Sequence, residues 1–321
     1  IAIANMLKEK GNKIKFVGTD RGLEKDLVPK AGFELEYIHA EGLHRGLSLK
    51  NLKTIMTLKK GVNDCLRIIE NEKPDIVIGT GGYVTAPLMI AAIKKKIPTM
   101  IHESNALPGK TTIWLSKKVD VIALGFETAK LRVPKARHAV FTGNPTKMDT
   151  GLKKEDMKKK LGINGRMVLV FGGSQGARKI NDTMIEFINE NKQLGYEVIY
   201  ATGPKNYDEV ISNIKVDNCN FKVEKYIYNM QEVMAAADLV VCRSGALTVT
   251  EIAIVGVPSI MIPFPHAAEN HQYFNAKTLE DVNAGIIIEE KDLTKDILEE
   301  KISSIINDDI KLKEMSNNAK K

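Results

Sequence analysis

Short apolar runs recur along the chain, and turn-forming residues follow them closely. The runs at 168–171 and 239–241 contain no polar residue, which is typical of strands buried on both faces of a parallel sheet. After each run come a glycine-containing turn and a segment of helical character. This order of strand, turn and helix predicts an α/β protein with doubly wound parallel sheets.

Two long segments, one from each half of the chain, resemble each other. Each begins with an aspartate, Asp75 or Asp238, and an apolar strand, and each places a glycine seven residues later, Gly82 or Gly245. A helix, an Ile-Pro or Val-Pro pair and a second apolar strand follow, and that strand ends in a polar loop with His, Glu and Asn. The matched βαβ units predict two Rossmann-like domains that face each other across a cleft.

The domain boundary is predicted near the Thr-Gly-Asn-Pro stretch at 142–145, because Pro and Gly suit a linker. We therefore expect domains at 1–145 and 146–321, with C-terminal helices that are able to return to the first domain. Residues 1–11 have helical character, but no strand precedes them. Since an α/β sheet normally opens with a strand, we expect that the natural chain begins earlier.

The turns between strands and helices carry groups suited to a nucleotide. The turn GGSQGA at 172–177 lets the backbone approach an anion, and the next helix directs free N–H groups towards it. Its spacing departs from the dinucleotide-binding and Walker A patterns. A second turn, at 244–248, has small residues at a helix N-terminus, and Glu251 follows on the same side of that helix. Phosphate-binding N–H groups beside a carboxylate that can accept from a ribose diol predict a nucleotide-sugar site.

The polar loop at 263–276 is expected beside the same cleft. Its amide and imidazole groups can bind sugar hydroxyls. The candidates are Glu269, Asn270, His271, Gln272 and Asn275. A metal site at His266 and His271 is disfavoured, because their separation of five does not match a helical pair of ligands. We therefore predict no metal.

Charge is distributed unevenly between the two halves. Residues 1–145 contain 24 Lys and Arg against 14 Asp and Glu, whereas the remainder contains 23 against 26. A basic half indicates an anionic partner surface. Nucleic acid is disfavoured as that partner, because aromatic residues make up only 6% of the chain and no recognition motif is present.

An anionic membrane surface fits the basic half better. The segment at 43–60 mixes Leu, Ile and Met with five basic residues, which is typical of a segment that lies on an anionic leaflet. These are Arg45, Lys50, Lys53, Lys59 and Lys60. An amphipathic helix that packs on the sheet would show the same pattern, and the two interpretations are compatible. Three widely spaced cysteines predict neither a disulfide framework nor a zinc site, which favours a reducing compartment.

Together the motifs resemble those of one known family. GTGGYVTAP at 79–87, IHESNALPGKTTIWL at 101–115, TGNP, GGSQGA and CRSGALTVTEIAIVGVPSIMIPFP at 242–265 are similar, in this order, to motifs of the bacterial UDP-N-acetylglucosamine:undecaprenyl-pyrophosphoryl-muramoylpentapeptide N-acetylglucosaminyltransferases, the MurG family. The resemblance spans essentially the whole chain. It implies the glycosyltransferase-B fold of two Rossmann-like domains. It also implies inverting transfer of N-acetylglucosamine from UDP-GlcNAc to the C4 hydroxyl of the muramoyl residue of lipid I, which forms lipid II in peptidoglycan synthesis.

The resemblance further implies roles for individual residues. Ser174 would contact the donor diphosphate, Ile227 would hold uracil through its backbone, and Glu251 would bind the ribose. The other donor-binding residues would be Asn105, Lys147, Gly173, Gln175, Ser244, Gly245, Ala246, Leu247, Thr248, His271, Gln272 and Asn275. The acceptor-side turn would consist of Thr80, Gly81, Gly82 and Tyr83.

The sequence departs from the family pattern at two places. The family's glycine loop, which carries a His proposed as the catalytic base, would precede residue 1, so we expect this 321-residue chain to be less active than one that includes the loop. Position 147 is Lys where the family often has Arg, which keeps the charge but loses the bidentate fork. Within this chain the candidates for the base are His102 and Glu103. Helix N-termini can stabilise the leaving UDP, so no cofactor is expected.

The expected partners are UDP-GlcNAc, lipid I and an anionic membrane surface. They place the protein at the cytoplasmic face of the bacterial cell membrane as a peripheral protein. Three alternatives stay open at this point: another glycosyltransferase of the same architecture, a UDP-GlcNAc 2-epimerase, and an inactive UDP-sugar-binding protein.

Overall fold

The chain divides into two compact units, Ile1–Pro145 and Thr146–Lys321. The computed structural model describes residues 1–42, 50–146, 148–149, 151–191, 193–216 and 220–320, with the backbone alone for 50–53. The division falls at the same residue as the boundary predicted from the linker motif.

The first unit contains two parallel sheets. β1 and β2 pair with each other, and β3, β4, β5 and β6 form a four-stranded sheet in that order. The strands are β1 (Lys15–Gly18), β2 (Glu34–Tyr37), β3 (Val77–Gly79), β4 (Thr99–Glu103), β5 (Val121–Leu124) and β6 (Ala139–Phe141). The helices are α1 (Ala2–Glu9), α2 (Glu24–Lys30), α3 (Lys50–Glu72), α4 (Thr85–Lys94), α5 (Lys110–Leu115) and a 3-10 helix at Glu127–Arg132. The core joins the four-stranded sheet to α3 and α4 through side chains such as Cys65, Met89 and Ile101.

The second unit contains one six-stranded parallel sheet with helices between the strands. Its strands are β7 (Arg166–Phe171), β8 (Tyr196–Ala201), β9 (Phe221–Glu224), β10 (Leu239–Cys242), β11 (Ser259–Met261) and β12 (Gly285–Ile287). Its helices are α6 (Lys154–Leu161), α7 (Arg178–Glu190), α8 (Tyr207–Asn213), α9 (Met230–Ala236), α10 (Ala246–Val255), α11 (His271–Glu280), α12 (Lys295–Ile306) and α13 (Asp309–Ala319). Two 3-10 helices lie at Ala268–Asn270 and Glu290–Asp292.

The strand order of the second sheet is β12, β11, β10, β7, β8, β9. The chain first adds strands on one side of β7 and then, from β10 onwards, on the other side. This is the doubly wound order in which the ligand site lies where the direction reverses, between β7 and β10. The apolar runs at 168–171 and 239–241 are the buried centre of this sheet, as their composition predicts. The prediction of an α/β protein with Rossmann-like domains is confirmed.

The C-terminal helices belong to the second unit. α12 contacts α7, and α13 contacts α10. Ser316 on α13 donates a hydrogen bond to the carbonyl of Gly256, 2.6 Å away, where α10 ends in a left-handed residue. Among the described residues, no helix is both long and apolar enough to cross a membrane.

Candidate active site

The two central strands of the second unit end side by side. Phe171 of β7 and Cys242 of β10 are partners in the parallel ladder, so the turns that follow them leave the same edge of the sheet together. α7 begins after the first turn and α10 begins after the second. Two helix N-termini therefore converge on the switch point, where doubly wound sheets bind their ligands.

The first turn, GGSQGA, combines packed glycines with an open one. A Cβ on Gly176 would lie 2.0 Å from the Thr202 carbonyl oxygen, so only glycine fits there. Gly173 also has a positive φ, +88°, but a Cβ there would meet nothing within 4 Å. Ser174 and Gln175 next to it are exposed. The backbone at Gly173 to Gln175 is thus accessible to an anion, and its binding of the donor diphosphate stays a prediction.

The second turn leaves three backbone donors at the start of α10. Gly245 is the N-cap, and no side chain caps the helix. The hydrogen bond from Val249 N–H to the Gly245 carbonyl, 3.0 Å long, is the first of the helix. The N–H groups of Ala246, Leu247 and Thr248 therefore have no acceptor within the helix. These are the donors that the sequence predicts for phosphate binding.

Ser244 and Asn275 pack against each other on the protein side of this turn. Both side chains are fully buried. Asn275 Nδ2 donates to the Ser244 carbonyl at 3.3 Å, which ties α11 to the turn. The Ser244 hydroxyl has no hydrogen-bond partner among the described residues. The structure corrects the predicted role of Asn275: its side chain is enclosed by protein and supports the turn, so it does not face a sugar.

Glu251 lies one helical turn into α10 and is half-buried. Thr146 Oγ1 donates a hydrogen bond to its Oε1 at 3.1 Å. Burial raises the pKa of Glu251, although the hydrogen bond from Thr146 acts in the opposite direction. The other carboxylate lone pairs stay available to a diol. Thr146 was not predicted from the sequence, where its position directly after the TGNP motif is the only signal.

Gln272 and His271 begin α11 and are both half-buried. Gln272 Oε1 accepts a hydrogen bond from Phe264 N–H at 2.9 Å. The amide nitrogen of Gln272 therefore points away from Phe264 N–H. That nitrogen has no protein acceptor within the described ranges. His271 Nδ1 lies 2.6 Å from the Ala268 carbonyl and must donate to it, which leaves Nε2 as an acceptor. Each residue keeps one polar group that is able to bind a sugar hydroxyl, and their role in donor binding stays a prediction.

Arg243 is a residue that the sequence analysis did not assign. It is buried, and its Nη1 donates to the carbonyls of Ile262 and Pro263, each 3.1 Å away. Its Nη2 donates to Glu290. A lone arginine inside an otherwise small and apolar turn was the signal for such a role.

Two further residues, Ile227 and Lys147, are predicted to bind the donor. Ile227 lies in the loop between β9 and α9 with its side chain buried, so only its backbone can contact a base. Its neighbours Tyr226 and Tyr228 are exposed and pack edge to face, with ring centroids 4.9 Å apart. Lys147 lies outside the described residues.

The predicted acceptor turn lies in the first unit, between β3 and α4. Gly81 and Gly82 have φ values of +91° and +75°, and a Cβ on either would meet nothing within 4 Å. Thr85 Oγ1 donates to the Gly81 carbonyl at 2.5 Å and so closes the turn that begins at Thr80. Tyr83 is exposed. The turn is open to a ligand and is held to the start of α4 by this hydrogen bond.

The structure does not support Glu103 as the base. Its side chain is buried and accepts four hydrogen bonds. Oε1 accepts from the backbone N–H and Nδ2 of Asn105, at 3.1 and 3.4 Å. Oε2 accepts from Gly109 N–H at 3.1 Å and from Thr112 Oγ1 at 2.7 Å. The carboxylate therefore holds the loop 104–109 and the start of α5 in place, and Asn105 is fixed by it.

His102 is likewise enclosed. Its Nε2 lies 3.3 Å from the Gly143 carbonyl, and its Nδ1 lies 3.4 Å from Ser104 Oγ. Both ring nitrogens thus have protein partners, and the side chain is buried. These contacts correct the second catalytic prediction: His102 links the end of β4 to the segment after β6, which is a structural role.

Two family models match the chain. The glycosyltransferase family 28 N-terminal domain matches residues 1–124, and the glycosyltransferase family 28 C-terminal domain matches residues 167–321. The second range contains both donor turns, Glu251 and Gln272.

Individual relatives are similar over the full chain. A UDP-N-acetylglucosamine--N-acetylmuramyl-(pentapeptide) pyrophosphoryl-undecaprenol N-acetylglucosamine transferase of Acetivibrio thermocellus is 45% identical, over 100% of this chain and 89% of the relative. The protein of the same name from Caldanaerobacter subterraneus is 44% identical, over 100% and 90%. Among solved structures, MurG of Acinetobacter baumannii superposes with a TM-score of 0.80 at 27% identity, covering 99% of this chain and 89% of that one.

Proposed function

This chain belongs to glycosyltransferase family 28, and from that membership we propose that it transfers N-acetylglucosamine from UDP-GlcNAc to undecaprenyl-pyrophosphoryl-N-acetylmuramyl pentapeptide, lipid I. The product is lipid II. The protein is accordingly a hexosyltransferase of peptidoglycan synthesis, a process on which bacterial cell shape and division depend. UDP-GlcNAc is a substrate, and we propose that no cofactor takes part.

The observation that carries the donor assignment is the pair of turns at the switch point. Their N–H groups come from Gly173 to Gln175 and from Ala246 to Thr248, at the ends of neighbouring strands. A diphosphate needs several donors at one place, and two helix N-termini supply them together with positive dipole ends. Glu251, one helical turn away, supplies the acceptor for a ribose diol.

The same groups favour the chemical step. We propose that the muramoyl C4 hydroxyl attacks the anomeric carbon, the bond from that carbon to the UDP oxygen breaks, and UDP leaves with the electron pair. The configuration inverts, and the hydroxyl proton passes to a base. Negative charge grows on the leaving diphosphate, so N–H groups at the two turns bind the transition state more tightly than the ground state. Since His102 and Glu103 are occupied by protein partners, we assign the base to neither.

We further propose that the first unit attaches to the cytoplasmic face of the cell membrane. On α5, Ile113 and Trp114 are exposed, and Lys117 and Lys118 follow one turn later. Lys118 Nζ lies 4.5 Å from the centroid of the Trp114 ring. An exposed tryptophan beside lysines suits the interface of an anionic leaflet, where the ring lies at headgroup depth.

The end of the basic segment repeats this pattern. On α3, Ile55 and Met56 are exposed, and the exposed Lys59 and Lys60 follow one turn later. Residues 43–49, with Arg45, and the side chains of Lys50 and Lys53 lie outside the described part of the chain. Two surfaces of the first unit therefore pair apolar side chains with basic ones, as the membrane proposal requires.

The test is transfer of radiolabelled N-acetylglucosamine from UDP-GlcNAc to a lipid I analogue, with UDP-GlcNAc binding measured by calorimetry in parallel. We expect a labelled lipid II analogue and equal rates with and without EDTA. Labelled ManNAc formed without an acceptor would instead indicate a 2-epimerase, and transfer only to other acceptors would indicate another glycosyltransferase. Binding without turnover that persists when the family's glycine loop is added before residue 1 would indicate an inactive UDP-sugar-binding protein.

A further inference from the structure

Arg243 joins three segments that follow three neighbouring strands. It comes directly after β10, and its guanidinium donates to the carbonyls of Ile262 and Pro263, which follow β11. The same guanidinium donates to Glu290, which follows β12. Only 8% of Arg243 is exposed, so solvent screens these bonds little. Such a bridge requires the planar guanidinium, whose N–H donors point in several fixed directions, because the ammonium group of a lysine is a single point charge.

The segment that Arg243 holds is the polar loop predicted to bind the donor sugar. The guanidinium carbon lies 5.4 Å from the centroid of the Phe264 ring. Phe264 N–H donates in turn to Gln272 Oε1. Arg243, Phe264 and Gln272 therefore form one continuous set of contacts that runs from the donor turn to the start of α11.

The backbone between Phe264 and Gln272 is strained. Glu269 and Asn270 have φ values of +54° and +58°, in the left-handed region that non-glycine residues rarely adopt. Such a conformation persists only where the surroundings fix it. Arg243 fixes the loop before it, and the bond from Asn275 to the Ser244 carbonyl fixes α11 after it.

We propose that Arg243 is a positioning residue for the donor sugar. It holds the loop 263–270 so that the amide nitrogen of Gln272 faces the N-acetylglucosamine moiety, and it makes no contribution to the binding of UDP itself. This inference rests on the proposed function, since it assumes a UDP-sugar at the switch point. It assigns the recognition of the sugar to the Arg243 network and that of the nucleotide to the glycine turn, the α10 N-terminus and Glu251.

The test compares UDP with UDP-GlcNAc as calorimetric ligands for the full chain. For Arg243→Lys we expect the Kd of UDP to stay within twofold and the Kd of UDP-GlcNAc to rise at least tenfold. Glu290→Ala should raise the Kd of UDP-GlcNAc by about threefold to tenfold without changing that of UDP. Glu289→Ala is the matched control, because Glu289 pairs with Lys291 and not with Arg243.

Equal losses of UDP and UDP-GlcNAc affinity in Arg243→Lys would overturn the proposal, and so would unchanged affinity for both. If Arg243→Lys does not fold, Glu290→Ala and Phe264→Leu decide by the same comparison, with thermal unfolding as the check. Transfer by the unaltered protein is a separate measurement. Absence of transfer also by a chain with the family's glycine loop added before residue 1 would reject the proposed function, whereas the difference between the two ligands would still test Arg243.

Discussion

Thr146 and Glu251 lie 105 positions apart in the sequence, yet the threonine hydroxyl donates to the Glu251 carboxylate at 3.1 Å. The same hydroxyl accepts a hydrogen bond from Met148 N–H, also at 3.1 Å. The first residue of the second unit thus orients the carboxylate proposed to bind ribose. Because Oε1 of Glu251 already accepts this hydrogen bond, fewer lone pairs of the carboxylate remain for the two hydroxyls of a ribose.

We predict that donor binding depends on pH through Glu251. Burial raises the pKa of this carboxyl group, so it takes up a proton at a higher pH than an exposed glutamate does. Protonation removes acceptor capacity, and UDP-GlcNAc affinity should therefore fall as the pH falls through that raised pKa. Glu251→Gln should weaken binding about tenfold and abolish this acid limb, since hydrogen bonds to charged groups contribute about 1.5–3 kcal/mol. Calorimetric titrations across the acidic range measure both effects.

Thr146→Val is expected to move the acid limb to higher pH. The substitution removes the hydrogen bond that lowers the pKa of Glu251, while burial continues to raise it. Thr146→Ser keeps the hydroxyl and is the matched control. An acid limb that stays in place in Thr146→Val would contradict the predicted coupling between the two residues.

The two turns proposed to bind the donor could be located from the sequence, because such turns depend on local patterns. A buried apolar run, a glycine turn and a helix start identify Gly173 and Ala246 without tertiary information. The contacts of Thr146 and Arg243 could not be predicted in this way. They join residues that are distant along the chain, and nothing local to either residue specifies its partner.

The glycines of the first turn should respond differently to alanine. Gly173→Ala places a Cβ in open space, so the protein should fold with a loss of about 1 kcal/mol for the left-handed backbone. The methyl group would stand where the anion approaches, and UDP affinity should fall. Gly176→Ala drives a Cβ to 2.0 Å from the Thr202 carbonyl oxygen and should destabilise the second unit much more strongly. Thermal unfolding and UDP titration of both variants measure the contrast, and similar unfolding temperatures would contradict it.

Glu103 should affect stability rather than proton transfer. Glu103→Ala removes the acceptor from two backbone N–H groups and the Thr112 hydroxyl, which should cost about 2–4 kcal/mol in the free energy of unfolding. Glu103→Gln keeps acceptor oxygen and should recover part of that stability. Denaturant unfolding gives the free energies. The pH–rate profile of the folded Gln variant should keep the limbs of the parent protein, and loss of the low-pH limb of kcat would restore Glu103 as a catalytic candidate.

His102 and Glu103 show why a catalytic role could not be predicted from residue type and position at a strand end. Both residue types are common proton acceptors, and both end a strand at the edge where doubly wound sheets bind ligands. The sequence alone does not reveal whether such a side chain faces the ligand or the protein. Here the neighbouring loop contributes Asn105 and Gly109 as donors, and they occupy the carboxylate. The turn at Gly81 and Gly82, whose acceptor role stays a prediction, is specified by backbone conformation and was therefore easier to locate from the sequence.

The proposed membrane attachment through α5 can be tested with an internal probe, because Trp114 is the only tryptophan in the sequence. We expect its fluorescence to shift to the blue on addition of vesicles that contain phosphatidylglycerol, and the shift to weaken as salt is added. Lys117→Glu with Lys118→Glu should lower vesicle affinity at least tenfold, since each basic residue near an anionic surface contributes about 1 kcal/mol.

The matched control for this pair is Lys159→Glu with Lys313→Glu. Both lysines are exposed and lie in the second unit, so this variant changes the net charge equally at a distance in sequence from α5. If long-range attraction by net charge alone held the protein at the membrane, the two double variants would lose affinity equally. If α5 itself binds the membrane, the control variant should keep most of its vesicle affinity and its blue shift. The Lys117 and Lys118 variant should lose both. Neutral phosphatidylcholine vesicles should produce little shift with any of these proteins, because the lysines would then gain nothing from the headgroups.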